Sequence, residues 1–331
     1  MAHYFADDYA SDEEKARLFQ HGSNGAVVDM ITLVKELAER QGVTTVDVIV
    51  RVQDAQGQHL GHHCARGGTA HCRAALVRCL MEFTSSQKTL QWVFLDGSDR
   101  AGNSPSMIAA RHGHALMLTT LATRGASIHL RNNAREGILH QAVQAHSTET
   151  LETAFALGAE PDSLDVQHQT PLHYAAYYND LEACKILLDN LACPSAVDKL
   201  QGYTALHVAA KAGYADIVEV LLANDAYPDA ETEEGTTALH LAATGGHPAV
   251  VALLLGKGAN VNSQDSICRT PLHAAARSKK EGALGCVELL LASSHVKPEL
   301  KDSTWKTAEE LAHGQEHVLA AFKRMANLNR D

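Results

Sequence analysis

The chain has 331 residues, 45% of them hydrophobic and 20% charged, enough to bury a core without disulfide staples. Its 28 Lys and Arg against 39 Asp and Glu leave a net charge of −11, which opposes nucleic acid unless a basic face is segregated, and none stands out in the sequence. Seven scattered cysteines without C-x-x-C spacing, and an opening that lacks a positive-then-apolar leader, predict reduced thiols in the cytoplasm or nucleus.

The opening acidic cluster, Asp7-Asp8 and Asp12-Glu13-Glu14, reads as a solvated tail or a helix start. Val27, Met30, Ile31, Val34, Leu37 and Ala38 then follow i, i+3, i+4, i+7 spacing and stop at Gly42, an amphipathic helix suited to an N-terminal cap. Thr44 to Gln53 alternates enough to predict a strand or an extended linker. Residues 1–53 are thus expected as tail and capping helix. Asp54 to Gly68 opens a degenerate version of a unit that is clearer downstream, with His62 in the place of a recurring histidine. The span from its His59 to Ser104 is 45 residues rather than 33, so residues 54–98 are expected as a divergent first unit. Its excess, within Thr84 to Asp99, predicts a longer finger or a second helical turn that carries Trp92.

From residue 99 onward a repeat is plain. Thr170-Pro171-Leu172-His173-Tyr174-Ala175-Ala176 recurs from Thr204, Thr237 and Thr270, with histidines spaced 34, 33 and 33 residues apart. Stepping back 33 residues reaches His140, and again Met107, so the register persists where the letters drift. Thr307 lies 37 residues after Thr270, which predicts a loop insertion in Lys279 to Gly285 and a divergent last unit. Each signature has a physical reading. Thr caps free N–H groups, Pro fits the first turn, where its missing N–H has no duty, and paired alanines let helices approach closely. The histidines at 140, 173, 207, 240 and 273 are expected to bond backbone between adjacent units. Apolar segments such as 216–222 and 248–255 predict a second helix in each unit, closed by Gly125-Ala126, Gly158-Ala159 and Gly258-Ala259.

The Thr-Pro-Leu-His-x-Ala signature and the 33-residue period resemble the ankyrin repeat, over roughly residues 99–331. The resemblance implies an all-α ankyrin-repeat solenoid of about seven to eight helix-turn-helix units, divergent at the N-terminus and ending in a divergent C-terminal capping unit. It also implies a non-enzymatic adaptor or scaffold that binds a protein through its concave groove and turn tips. Carried onto this sequence, the tips include Asn103, Gln169, Leu200, Gln201, Tyr203, Glu233, Glu234, Thr236, Ile267, Arg269 and Trp305. The positions after the paired alanines are Tyr177, Tyr178, Lys211, Thr244 and Arg277. Tyr177, Tyr178, Tyr203 and Trp305 stand out as contact residues, since aromatics are enriched at binding hot spots. Asp229, Glu231, Glu233 and Glu234 form an acidic ridge beside Lys199 and Lys211.

Other chemistry finds little purchase. No nucleophile elbow, phosphate loop or His-Glu-x-x-His motif is present, so no catalytic residue and no cofactor is assigned. The longest apolar runs, such as Val250 to Leu255, fall far short of the roughly 18 to 20 residues that span a bilayer. A monomer without membrane or nucleic-acid partners is expected. The alternative is a metal- or thiol-responsive regulator built on the cluster from His59 to Cys79. There His59 and His63 at i, i+4 could join Cys72 or His71 around one ion. Against it, His62 and Cys64 already hold packing positions in the register, so no metal ligand is assigned.

Overall fold

The structure, a computed structural model, describes residues 10–328; Asp7 and Asp8 lie outside the described residues. These contain twenty α-helices and no strand, with one isolated antiparallel bridge between Lys301 and Thr307. The chain divides into two compact units, Met1–Val166 and Gln167–Asp331.

In the first unit, α1 (Asp12–Asn24) and α2 (Val27–Gln41) form an opening pair. The described part of the acidic cluster, Asp12-Glu13-Glu14, is a helix start: Ser11 Oγ accepts the Glu14 N–H at 3.3 Å while the Glu14 carboxylate accepts the Ser11 N–H at 2.8 Å. Glu14 also accepts from Arg40 of α2 at 3.0 Å, and these bonds pull its carboxyl down to about 2. Gly42 closes α2 in the left-handed region, as the sequence predicts.

Thr44 to Gln53 is neither strand nor extended linker. It forms α3 (Thr45–Arg51), set by a capping box in which Thr44 Oγ1 accepts the Asp47 N–H at 3.1 Å. Val46, Val48, Ile49 and Val50 are all buried, so tertiary burial against α2 and a later helix overrides the β-branched preference. Then come α4 (Leu60–Gly67) and α5 (Ala70–Leu80), onto which α1 and α2 pack. The excursion between Thr84 and Asp99 is helical: a 3-10 turn at Ser85–Gln87 leads into α6 (Lys88–Asp96). Phe94 anchors α6 in the core while Trp92 remains exposed. The unit closes with α7 (Pro105–Arg111), α8 (Ala115–Thr123), α9 (Ile138–Gln144) and α10 (Thr148–Ala156). Helices α4, α7 and α9 pack in series, and α8 packs on α10.

The second unit is more regular. Its pairs are α11 (Pro171–Tyr177) with α12 (Leu181–Asp189), α13 (Ala205–Ala212) with α14 (Ala215–Ala223), and α15 (Ala238–Gly245) with α16 (Pro248–Gly256). They continue as α17 (Pro271–Arg277) with α18 (Ala283–Leu291), then α19 (Ala308–Leu311) with α20 (Glu316–Leu328). First helices stack on first helices and second on second. The paired alanines 175–176, 209–210, 242–243 and 275–276 are completely buried, so each methyl sits where a larger side chain would push neighbouring helices apart. Tight turns join the helices of a pair. At Gly213, φ is +83° and an added Cβ would stand 2.5 Å from the His247 ring.

Candidate protein-binding groove

Between one helix pair and the next the chain makes a projecting turn, and in most of these turns a buried or half-buried polar side chain folds the turn onto itself. Asp99 Oδ1 accepts the N–H groups of Ala101 and Asn103 at 3.0 and 2.8 Å. Asp198 does the same for Gln201 and Tyr203, both at 3.0 Å, and Asp265 for Ile267 and Arg269 at 3.1 and 2.8 Å. Asp54, Asn132 and Asp302 repeat the arrangement. At position 232 a threonine hydroxyl accepts the single Thr236 N–H at 3.1 Å. The tips are then laddered by backbone bonds. Arg100, Asn133 and Val166 donate to the carbonyls of Gln56, Ala101 and Ala134 in the first unit. In the second, Lys199, Glu233, Ser266 and Ser303 donate to Gln167, Gln201, Glu234 and Ile267.

The recurring histidines join turn to helix. In His173, His207, His240 and His273 the Nδ1 accepts the N–H of the capping threonine at 3.1 to 3.2 Å. That fixes the proton on Nε2, which donates to the carbonyl of Tyr203, Ala230, Arg269 or Lys306 at 2.8 to 3.1 Å. Burial holds the imidazoles of His207, His240 and His273 neutral, with His207 pulled down to about 4. His62 follows the same pattern one unit from the N-terminus, donating to the Asn103 carbonyl at 2.9 Å. Asn103 is consequently buried and is not an exposed tip.

In the second unit the laddered turns and the first helices enclose a groove of about 520 Å³. It brings together nine of the sequence-selected residues: Leu200, Gln201, Tyr203, Glu233, Glu234, Thr236, Thr244, Arg269 and Arg277. Lys211 joins them from above, its Nζ 5.1 Å from the centre of the Tyr203 ring. Tyr203 is half-buried rather than exposed, stacked on His207 at 5.7 Å. Arg269 is forked onto Asp265 through Nε and a terminal nitrogen at 2.8 and 2.7 Å, leaving Arg277 and Lys211 as its exposed cations. Tyr177, Tyr178, Ile267 and Trp305 lie elsewhere. Tyr177 and Tyr178 meet edge to face at 5.2 Å where α11 ends, with Tyr177 69% exposed. Ile267 and Trp305 stand exposed on successive turn tips. Sequence reasoning missed the groove's Leu241, Ala274 and Ser278. The apolar signal that Leu241 and Ala274 carry is shared with every core-facing position. Asp229 of the acidic ridge is tied down, accepting the Asn260 N–H at 2.8 Å.

The histidine and cysteine cluster of the first unit is drawn into packing. His59 caps α4 by accepting the Gly61 N–H at 3.1 Å. His63 contacts Asp54 at 3.1 Å and stacks on Phe19, and burial pulls it down to about 4. Cys64 and Cys79 are buried and their thiols pushed up, Cys79 to about 12. Cys72 donates to the Ser23 carbonyl at 3.1 Å, and His71 is exposed. Among the described residues no group of three or more His, Cys, Asp or Glu side chains is arranged to hold a metal ion, and no helix is long and apolar enough to cross a membrane.

The family model for ankyrin repeats in three copies matches residues 139–232 and 224–302. Among curated proteins, the mouse B-cell lymphoma 3 protein homolog is 32% identical over 141 residues, covering 40% of this chain and 31% of the relative. Human NF-kappa-B inhibitor alpha is 35% identical over 111 residues, covering 32% and 35%. The glycerophosphocholine phosphodiesterase gde1 of Schizosaccharomyces pombe is 27% identical over 193 residues, covering 57% of this chain and 17% of the relative. The chain thus spans about a sixth to a third of the length of these relatives. Among solved structures, the human ASB11 ankyrin repeat domain superposes with a TM-score of 0.60 at 28% identity, covering 67% of this chain and 98% of that one. The ankyrin repeat domain of Bcl-3 gives 0.59 at 28% identity, covering 67% and 99%. With its register, capping threonines and bridging histidines shared along the stack, the chain belongs to the ankyrin-repeat family.

Proposed function

We propose that the chain is a non-enzymatic adaptor that holds a protein partner in the groove of its second unit. The observation that carries this reading is the convergence of Leu200, Tyr203, Glu233, Glu234, Arg269 and Arg277 on one cavity. A half-buried aromatic flanked by charges of both signs, on turns fixed by backbone bonds, offers contact area at low entropy cost. The relatives lend support in kind: one is named an inhibitor of NF-kappa-B, a protein target. The enzyme relative gde1 matches over only 17% of its length. Glu233 and Glu234 complement a basic side chain on the partner, while Arg277 and Lys211 complement an acidic one.

The test is affinity capture with three forms of the full chain: wild type, Tyr203→Ala with Arg277→Glu, and Glu219→Arg on the exposed face of a second helix. A partner retained by wild type and Glu219→Arg but lost by the groove variant supports the reading. A partner retained equally by all three would place recognition outside this groove.

A further inference from the structure

A second groove, of about 550 Å³, lies in the first unit and has a different chemistry. Arg66 follows Cys64-Ala65 at the end of α4, and Arg111 follows Ala109-Ala110 at the end of α7, so the two occupy the same position in successive units. Arg100, at the turn tip held to Gln56, closes the third side. Stacking thus gathers cations that lie 34 and 11 residues apart along the chain.

Among the described residues none of these three guanidinium groups has a carboxylate within ion-pair distance. Arg66 donates to the Gln58 side-chain oxygen at 2.6 Å, which orients it without neutralising it. The lining carboxylate, Asp99, is buried and already accepts from Ala101, Asn103 and the Gln58 amide. His112 also lines the groove; burial first, then the positive charge of Arg66 and neighbouring cations, disfavours its protonated form. In a chain of net charge −11, this is a concentration of unneutralised positive charge on a rigid concave surface.

We propose that this groove binds an acidic peptide segment, whose carboxylate or phosphate oxygens bridge Arg66, Arg100 and Arg111. Arginine presents a planar fork that matches such oxyanions in pairs, and three around one cavity select closely spaced acids. A peptide is favoured over nucleic acid because the chain as a whole, at net charge −11, repels polyphosphate. The site is independent of the groove in the second unit.

The test measures fluorescence anisotropy of labelled hexaglutamate, of a same-length peptide bearing one phosphoserine among neutral residues, and of a single-stranded oligonucleotide. Each is titrated with full-length wild type, Arg100→Glu, Arg111→Glu and, as control, Arg124→Glu, an exposed arginine that lines neither groove. Arg100 and Arg111 are exposed, so their reversal spares the core, and circular dichroism verifies the fold. Saturable binding of either peptide, weakened about tenfold or more by Arg100→Glu and Arg111→Glu but not by Arg124→Glu, supports the proposal. The stronger peptide then identifies carboxylate or phosphate as the source of the oxyanion. No saturable peptide binding, equal binding by all four proteins, or tighter binding of the oligonucleotide than of both peptides would overturn it.

Discussion

Acid should loosen the second unit through histidines that the fold keeps neutral, and His207 gives the cleanest case. Its Nδ1 accepts from the Thr204 N–H at 3.1 Å and its Nε2 donates to the Ala230 carbonyl at 2.9 Å, an arrangement that requires the singly protonated ring. Burial takes its pKa from 6.5 to about 4. A histidine depressed on folding contributes its full stabilisation above the unfolded value and loses it as pH falls from 6.5 towards 4, because the unfolded chain binds the proton first. At about pH 5 the unfolded ring is almost wholly charged and the folded ring almost wholly neutral, which costs about 2 kcal/mol relative to about pH 7.5. Urea unfolding followed by circular dichroism at both pH values, for wild type and His207→Gln, reads this directly. Other buried histidines contribute in both proteins, so the difference in pH dependence isolates His207. Wild type should lose about 2 kcal/mol more than the variant on acidification. Nuclear magnetic resonance of the folded wild type should show no His207 titration above about pH 5. Equal pH dependence in both proteins, together with a ring that titrates near its unperturbed value, would refute the account of the bridging histidines.

Three further outcomes follow from the same geometry. Asp198→Ala strips two turn N–H groups of their acceptor and should destabilise the chain by about 2 kcal/mol in urea titration, with loss of partner capture because the turn carries Tyr203. Gly213→Ala, forced against the His247 ring, should lower the melting temperature more than Gly258→Ala, which has the same +83° φ but no atom within 4 Å of the added methyl. Of seven thiols, the exposed Cys193 and Cys268 should react readily with a disulfide reagent in the native state, while the five buried ones react only after denaturation.

The register was legible because each signature residue answers a local demand: a cap, a first-turn proline, a small pair and a bridging imidazole. Where the signature thins, other signals existed. Ser11 and Glu14 spell a capping box before α1, yet the surrounding acids resemble a solvated tail. Thr44 and Asp47 spell another before α3, but Val46, Val48, Ile49 and Val50 favour a strand in isolation and are helical here with all four side chains buried. Within the candidate groove, Leu200, Glu233 and Arg277 were readable from their repeat positions. The half-burial of Tyr203 depends on where His207 and Lys211 come to rest, and the contribution of Ala274 depends on how α15 and α17 stack. Asn103 was misplaced because its turn faces a histidine from the preceding unit, and that unit's longer spacing concealed the pairing.

Recognition by the groove of the second unit is tested most directly by site-specific photocrosslinking with a partner captured by the wild-type chain. A photoreactive phenylalanine analogue is placed at Tyr203 in one protein and at Glu219, on a second helix, in another. The account predicts a crosslinked partner from position 203 and none from position 219. Crosslinking from position 219 with none from position 203 would contradict it.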